Sequence, residues 1–145
     1  MARVIQGETI IPGLAKGVAL ASSEPVSFWG GYDQVTGEII DRRHPLSGQI
    51  AAGRMLVLPY TRGSSTSTAI LLESVRAGVA PAGLITDRAD VFLALASVVA
   101  AEMYETGFPM VAIDRKSFDS IQTGDIVEID AMGRIHVESG EGELS

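Results

Sequence analysis

The stretch from Arg54 to Gly78, RMLVLPYTRGSSTSTAILLESVRAG, most constrains the fold, because it passes from strand to helix within a few residues. Met55 to Leu58 is an unbroken apolar run, which predicts a buried strand. Pro59 removes a ladder donor and should end it. Gly63 permits an unusual backbone angle or a close approach, and four hydroxyl residues follow, Ser64 to Ser67. Their oxygens accept the orphan N–H groups of a helix's first turn, so a helix should begin there. Ala69, Leu72, Val75 and Arg76 continue at helical spacing, and Gly78 is a natural stop. Such a loop offers hydroxyls and free N–H groups at the positive end of a helix. It suits an anion, a nucleophile or a base.

The flanking chain reads as strands and helices around this unit. Arg3 to Ile11 predicts a first strand interrupted at Gly7, and Val18 to Ala21 a second, broken by Ser22 to Pro25. Val26 to Tyr32 holds the only tryptophan, Trp29, beside two adjacent glycines. A turn at Asp33 to Gly37 leads to a short strand, Glu38 to Asp41, and then a polar loop, Arg42 to Gly48, with Pro45 holding His44 extended. Beyond Gly78, Ala82 to Thr86 predicts a short buried strand. Asp87 or Asp90 can cap a helix over Val91 to Glu105 that is apolar almost all round and so should be well buried. Met110 to Asp114 reads as a strand, Phe118 to Ile121 as a single turn, and Ile126 to Asp130 with Arg134 to Glu138 as a hairpin turning at Met132-Gly133. The order, β-rich first, then β-α-β-α-β, then a hairpin, predicts a compact α/β domain with a mixed or parallel central sheet. Residues 1–139 form this single domain, and 140–145 are a short polar tail.

Composition narrows the function. At 145 residues the chain can bury roughly two thirds of its unfolded surface as one domain. A net charge of −7, from 11 basic and 18 acidic residues, argues against nucleic-acid or anionic-membrane surfaces. The chain has no cysteine, hence no disulfide, thiol nucleophile or thiolate ligand, and its two histidines are far apart. No metal site is expected in it. The start MARVIQGETI carries no secretory apolar core, and no run reaches transmembrane length, so the expected location is the cytoplasm.

Taken alone, Ser64 to Ser67 reads either as capping with the remaining hydroxyls solvated, or as a cradle for phosphate or carboxylate. It is no P-loop, lacking Gly-Lys-Ser/Thr, and no nucleophile elbow, lacking G-x-S-x-G. His44 beside Arg42 and Arg43 is either an exposed loop residue or a ligand-facing donor. Arg62 can clamp a carboxylate bidentately or be solvated. His136, alternating with apolar neighbours on a terminal strand, reads as structural.

Two motifs in this order, SFWGGYDQVTGEIIDRRHPLSG and GRMLVLPYTRGSSTSTAILLE, closely resemble the swivel domain, or small subunit, of the aconitase X family. The resemblance covers roughly Gly17 to Val127. It implies a swivelling β/β/α domain packing on a larger, cysteine-bearing subunit that carries an iron–sulfur cluster; this chain itself would bind no cofactor. In aconitase-like enzymes a serine of the swivel domain's Gly-Ser-Ser loop is the catalytic base, and Ser64 is the matching position. Ser65, Arg62, Gly63 and His44 would then contact a small hydroxy-acid substrate. Aconitase itself has arginine directly after the paired serines, where this chain has Thr66. A helix dipole offers at most about 2 kcal/mol, roughly 1.5 pKa units. Arg62, a partner residue or the cluster must supply the rest of the field that ionises Ser64. Members with an Arg-Gly-Ser-Ser loop look like cis-3-hydroxy-L-proline dehydratases, and those with Lys-Gly-Ser-Thr look like mevalonate 5-phosphate dehydratases. Arg62 to Ser65 favours the first.

Two other classes remain. A phosphohistidine-type swivelling carrier would need a histidine between Tyr60 and Gly78, and none is there. A non-catalytic assembly subunit would use the serines only as caps. The partner's docking surface should include the Arg62 to Thr68 loop and the Trp29 to Tyr32 region.

Overall fold

The computed structural model describes residues 2–62 and 65–140, apart from the side chains at 29, 61, 62 and 65. Gly63, Ser64 and the expected tail beyond 140 therefore lie outside the described residues. In chain order the elements are β1 (Ala2–Ile5), β2 (Glu8–Ile11), β3 (Ala15–Ala21), β4 (Val26–Ser27), α1 (Phe28–Gly31), β5 (Met55–Val57), β6 (Thr61–Arg62) and α2 (Ser65–Arg76). There follow β7 (Gly83–Thr86), α3 (Val91–Tyr104), β8 (Met110–Ala112), α4 (Arg115–Ser120), β9 (Ile126–Ile129) and β10 (Ile135–Glu138).

Eight strands form one sheet in the order β1-β10-β9-β3-β5-β7-β8-β2. Its two ends, β1 and β2, are separated in the chain only by Gln6 and Gly7. Two residues span only a few ångströms, so the sheet curls until its ends meet. The expected first strand is thus two strands, and Gly7 is the reason the chain can pass between them. A Cβ there would stand 2.7 Å from the Ala112 carbonyl oxygen and 2.7 Å from Val111 Cγ1. Only glycine fits against that backbone.

The mixed sheet changes character within β3. Ala15 to Val18 pair antiparallel with β9, and Ala19 to Ala21 pair parallel with β5. The parallel region continues from β5 to β7 and from β7 to β8. Those crossovers are α2 and α3, as the β-α-β-α-β order predicts. Both faces of this region are buried, so its strands are continuous apolar runs rather than alternating ones. On β5 and the residue after it, Met55 and Val57 join one cluster while Leu56 and Leu58 join the other. The first cluster draws on seven strands, with Ile5, Ile135, Val127, Ala19, Val57, Ile85 and Val111 among its members, and so fills the inside of the curl. Phe118 and Ile121, from α4 and its end, belong to the same cluster. The second lies under α1, α2 and α3, with Phe28, Leu56, Leu71, Leu84 and Leu93. Each such buried side chain contributes about 1.5–3 kcal/mol.

Several local expectations need correction. Glu38 to Asp41 is no regular strand; the segment makes only isolated bridges, Tyr32 to Ile39 and Glu38 to Ile50, because the 44–49 loop folds back on Ile39. Over residues 66–76 of α2 the fully buried side chains are Ser67, Leu71 and Ser74, while Leu72 and Val75 are half-buried and Ala69 is exposed. Small serines let the helix approach its neighbours closely, and Ser74 satisfies its hydroxyl by donating to the Leu71 carbonyl at 2.7 Å. The Phe118 to Ile121 turn is the end of a longer helix, α4. Of the two aspartates that could cap α3, Asp90 does so, as the sequence allowed, accepting from Phe92 N at 3.1 Å and Leu93 N at 3.2 Å. Helix α3 is also not buried all round. Leu93, Ala96, Ser97 and Ala100 face inward, while Val91, Leu95, Val98 and Met103 are exposed.

If the sheet closes through the gap at residue 7, Gly7→Ala should destabilise the fold by about 1–3 kcal/mol. Urea denaturation measures this; a change below a few tenths of a kcal/mol would mean the ends do not meet so closely.

Candidate functional site

Strands β5, β7 and β8 run parallel, so their C-terminal ends open on one edge of the sheet, where open α/β sheets place ligand sites. The chain beyond β5 turns at Pro59 and forms β6, which pairs in parallel with β4: Val26 opposite Thr61 and Ser27 opposite Arg62. Helix α2 starts at Ser65. The loop singled out in the sequence is therefore bracketed by a two-stranded ribbon before it and a twelve-residue helix after it. A direct run from strand into loop was expected. The intervening strand exists because a distant segment, Val26-Ser27, supplies its hydrogen bonds.

Of the five candidate residues, Gly63 and Ser64 lie outside the described residues. Arg62 and Ser65 have their backbones placed by β6 and α2, with their side chains outside the description. Further along, Ser67 is fully buried, and Thr68 Oγ1 donates to the Phe92 carbonyl at 2.7 Å, tying α2 to the start of α3. The hydroxyl run is thus partly used for packing rather than solvated beyond its cap. Helix α1, overlapping the Trp29 to Tyr32 region, packs beside α2. Phe28 and Leu71 share a core, the Phe28 and Tyr32 rings are 5.1 Å apart, and Tyr32 Oη donates to the Val79 carbonyl at 3.1 Å. Burial pushes the Tyr32 phenol well above its ordinary pKa, so it stays protonated and donating.

His44 is not the exposed residue a polar loop suggests; it is only 7% exposed. The Leu46 N–H donates to its Nδ1 at 3.1 Å, which places the ring proton on Nε2, 3.0 Å from the Glu24 carbonyl. Both nitrogens are occupied, so the ring braces the loop against the segment that enters β4 instead of facing a ligand. With Glu24, Pro25, Asp41 and Arg43 it lines a cleft of about 400 Å³. Only Pro25 separates Glu24 from Val26 and hence from the ribbon that carries Arg62.

Sequence reasoning missed a polar group at the same sheet edge. Asp87, just after β7, has a side chain only 5% exposed and holds two arginines: Arg88 Nε at 3.0 Å and Arg115 Nη1 at 2.9 Å. The Arg88 guanidinium sits over the Tyr60 ring, 4.6 Å from its centroid, and Arg115 also reaches Asp119 at 3.0 Å. Burial alone would raise the Asp87 carboxyl's pKa. The hydrogen bonds and charges of Arg88 and Arg115 outweigh it and hold the group below the usual carboxylate range. The available signal was an Asp-Arg pair directly after a predicted parallel strand. The hairpin histidine is structural, as expected: His136 Nε2 lies 2.8 Å from Asp130 Oδ2, and Asp130 Oδ1 also takes the Met132 and Arg134 N–H groups. A larger cleft, about 570 Å³, lies between Arg3, Ser120, Thr123 and Ile126, and its Arg3 and Thr123 side chains already bond within the chain. Among the described residues no group of three or more His, Asp or Glu could hold a metal ion, and no helix is long and apolar enough to cross a membrane.

A family profile described as the aconitase X swivel domain matches residues 4–137. The chain belongs to that family. It is 39% identical to a cis-3-hydroxy-L-proline dehydratase of Pseudomonas aeruginosa, over 83% of this chain and 20% of that protein. It is 34% identical to a phosphomevalonate dehydratase small subunit of Thermococcus sibiricus, over 92% of this chain and 98% of that one. The aconitase X swivel fold is equally clear in three dimensions. The holo-form crystal structure of Thermococcus kodakaraensis aconitase X superposes with a TM-score of 0.81 at 29% identity, covering 93% of this chain and 98% of that one. The chain spans about one fifth of the length of the cis-3-hydroxy-L-proline dehydratases of P. aeruginosa and Hypocrea jecorina that it matches.

Two measurements test this geometry. The folded pKa of Asp87 lies below the unfolded value near 4, so its pairing stabilises the fold above about pH 4 and is lost as pH falls through the lowered folded value. Asp87→Asn should therefore cost about 1 kcal/mol at pH 7, the arginines being half exposed. Urea titrations should show that cost shrinking towards pH 3; an equal cost at both pH values would remove the ionic explanation. His44→Ala should destabilise by about 1–3 kcal/mol by orphaning the Leu46 N–H and the Glu24 carbonyl. A stability within 0.3 kcal/mol or so of wild type would show that those bonds carry nothing.

Proposed function

We propose that this chain is the swivel component, or small subunit, of an aconitase X-type hydro-lyase that dehydrates cis-3-hydroxy-L-proline, with Ser64 as the catalytic base. The observation that carries the reading is family membership over nearly the whole chain, together with 39% identity to a protein named for that reaction. The loop order Arg62-Gly63-Ser64-Ser65 supports it, and so does its position between a ribbon and a helix N-terminus at the C-terminal edge of a parallel sheet.

Chemically, the Ser64 oxygen takes the proton from the substrate carbon bearing the carboxylate, and the hydroxyl leaves from the neighbouring carbon as hydroxide, the two together making the water released. The enamine formed tautomerises to Δ1-pyrroline-2-carboxylate. Backbone N–H groups at the start of α2 and the Ser65 hydroxyl hold the negative charge that builds on the substrate carboxylate. Arg62 adds positive field where the dipole alone is too weak. An iron–sulfur cluster belongs to the larger component, since this chain supplies no cysteine. The proposed location is the cytoplasm.

A second reading, the small subunit of a phosphomevalonate dehydratase, is supported by near end-to-end alignment with the T. sibiricus subunit. Anaerobic reconstitution with the larger component, assayed on cis-3-hydroxy-L-proline and on mevalonate 5-phosphate, separates the two. Turnover of hydroxyproline should fall at least roughly 100-fold in Ser64→Ala, and this chain alone should show none. Activity within a few-fold of wild type would move the base elsewhere. Turnover of mevalonate 5-phosphate only would establish the second reading.

A further inference from the structure

Helix α3 is apolar on two faces, and the fold uses one of them. Leu93, Ala96, Ser97 and Ala100 pack inward. On the other side Val91, Leu95 and Val98, spaced i, i+4 and i+7, are 72%, 46% and 49% exposed. The only charged residue on the helix is Glu102. A solvated helix face would normally carry charge, and a contiguous exposed apolar face marks an interaction surface. The run continues past Val98 into a groove of about 470 Å³ lined by Ile11, Pro12, Leu14 and Pro109 with Glu102 as its one charged residue, and Leu14 is itself largely exposed.

We infer that this face, from Val91 through Val98 to Leu14, is the surface on which the larger component of the enzyme docks; this rests on the reading above. In the P. aeruginosa relative the matched region is one fifth of a longer protein, so the other four fifths supply a larger component of the kind this face could meet. The bond from Thr68 to the Phe92 carbonyl fixes the first turn of α3 beside the N-terminal part of α2. A partner that completes a site at the start of α2 therefore reaches Val91 and Phe92 in the same approach. The near absence of charge suits a large, lasting contact rather than a transient one. A second copy of this chain is the competing occupant.

The test mixes the full chain with the same organism's homologue of the other four fifths of the dehydratase and follows binding by sedimentation velocity, without substrate. Leu95→Arg with Val98→Asp is compared with wild type and with Met132→Asp, an exposed residue in the β9–β10 turn. Wild type and Met132→Asp should bind alike, while the double variant should weaken the complex by roughly 100-fold or more. Circular dichroism should show its fold intact, as expected for exposed positions. In the wild-type complex, amide exchange over residues 91–103 should slow. Binding by the double variant within about threefold of wild type, with exchange over α3 unchanged, overturns this surface while the enzyme reading stands. A wild-type chain that binds no larger component overturns both. A double variant that dissolves a homodimer but leaves the heterologous complex untouched assigns the face to a second copy and overturns the inference.

Discussion

Closure of the sheet at Gln6-Gly7 is the constraint on which the remaining structure depends. It lets one short stretch of chain supply both outer strands, β1 against β10 and β2 against β8, and brings the two ends of the sheet together. It also creates an inside. Residues from seven strands meet there as one apolar cluster, and the outer face of the parallel region becomes the bed for α1, α2 and α3. Burial on both faces makes the parallel strands rigid, and rigidity at their C-terminal ends is what a positioned catalytic loop requires.

That edge is assembled from pieces distant in the chain. The ribbon of β4 and β6 fixes the approach to residues 63–64, the packed serines of α2 seat the helix that follows, and His44 braces the loop that feeds β4. The Asp87 carboxylate gathers Arg88 and Arg115 at the same edge, in a protein whose net charge is otherwise negative. One buried anion holding two cations keeps positive groups ordered there without leaving an uncompensated charge. The apolar outer face of α3 starts beside this edge and leads away from it. The polar approach to the site and the apolar contact proposed for the partner are thus joined through the packing of α2 on α3, which the bond between Thr68 and Phe92 pins at its start.

Much of this was legible beforehand, for definite reasons. Met55 to Leu58, Ala82 to Thr86 and Met110 to Asp114 are apolar without alternation, which only strands covered on both faces tolerate. Pro59, Gly78 and the Met132-Gly133 turn punctuate the chain through local backbone rules. The two motifs flanking the hydroxyl run carried the family. Less legible were features that depend on a distant partner. The two-residue β6 exists only because Val26-Ser27 pairs with it. His44 is held by a carbonyl twenty residues away, and Ser67 and Ser74 are buried because small side chains fit a tight contact that periodicity reads as polar.

The sequence by itself determined the element types, the swivel-domain family and the loop that carries the candidate base, because apolar period, turn chemistry and motif order are local properties. Tertiary structure decided which strands became neighbours, that the first strand splits to close the sheet, and that Asp87 rather than Asp90 gathers the arginines. It also decided that α3 buries one apolar face and leaves the other bare. A helix apolar all round has no preferred side in its own sequence. Only the width of the sheet beneath it and the place of α2 beside it fix which side chains are covered.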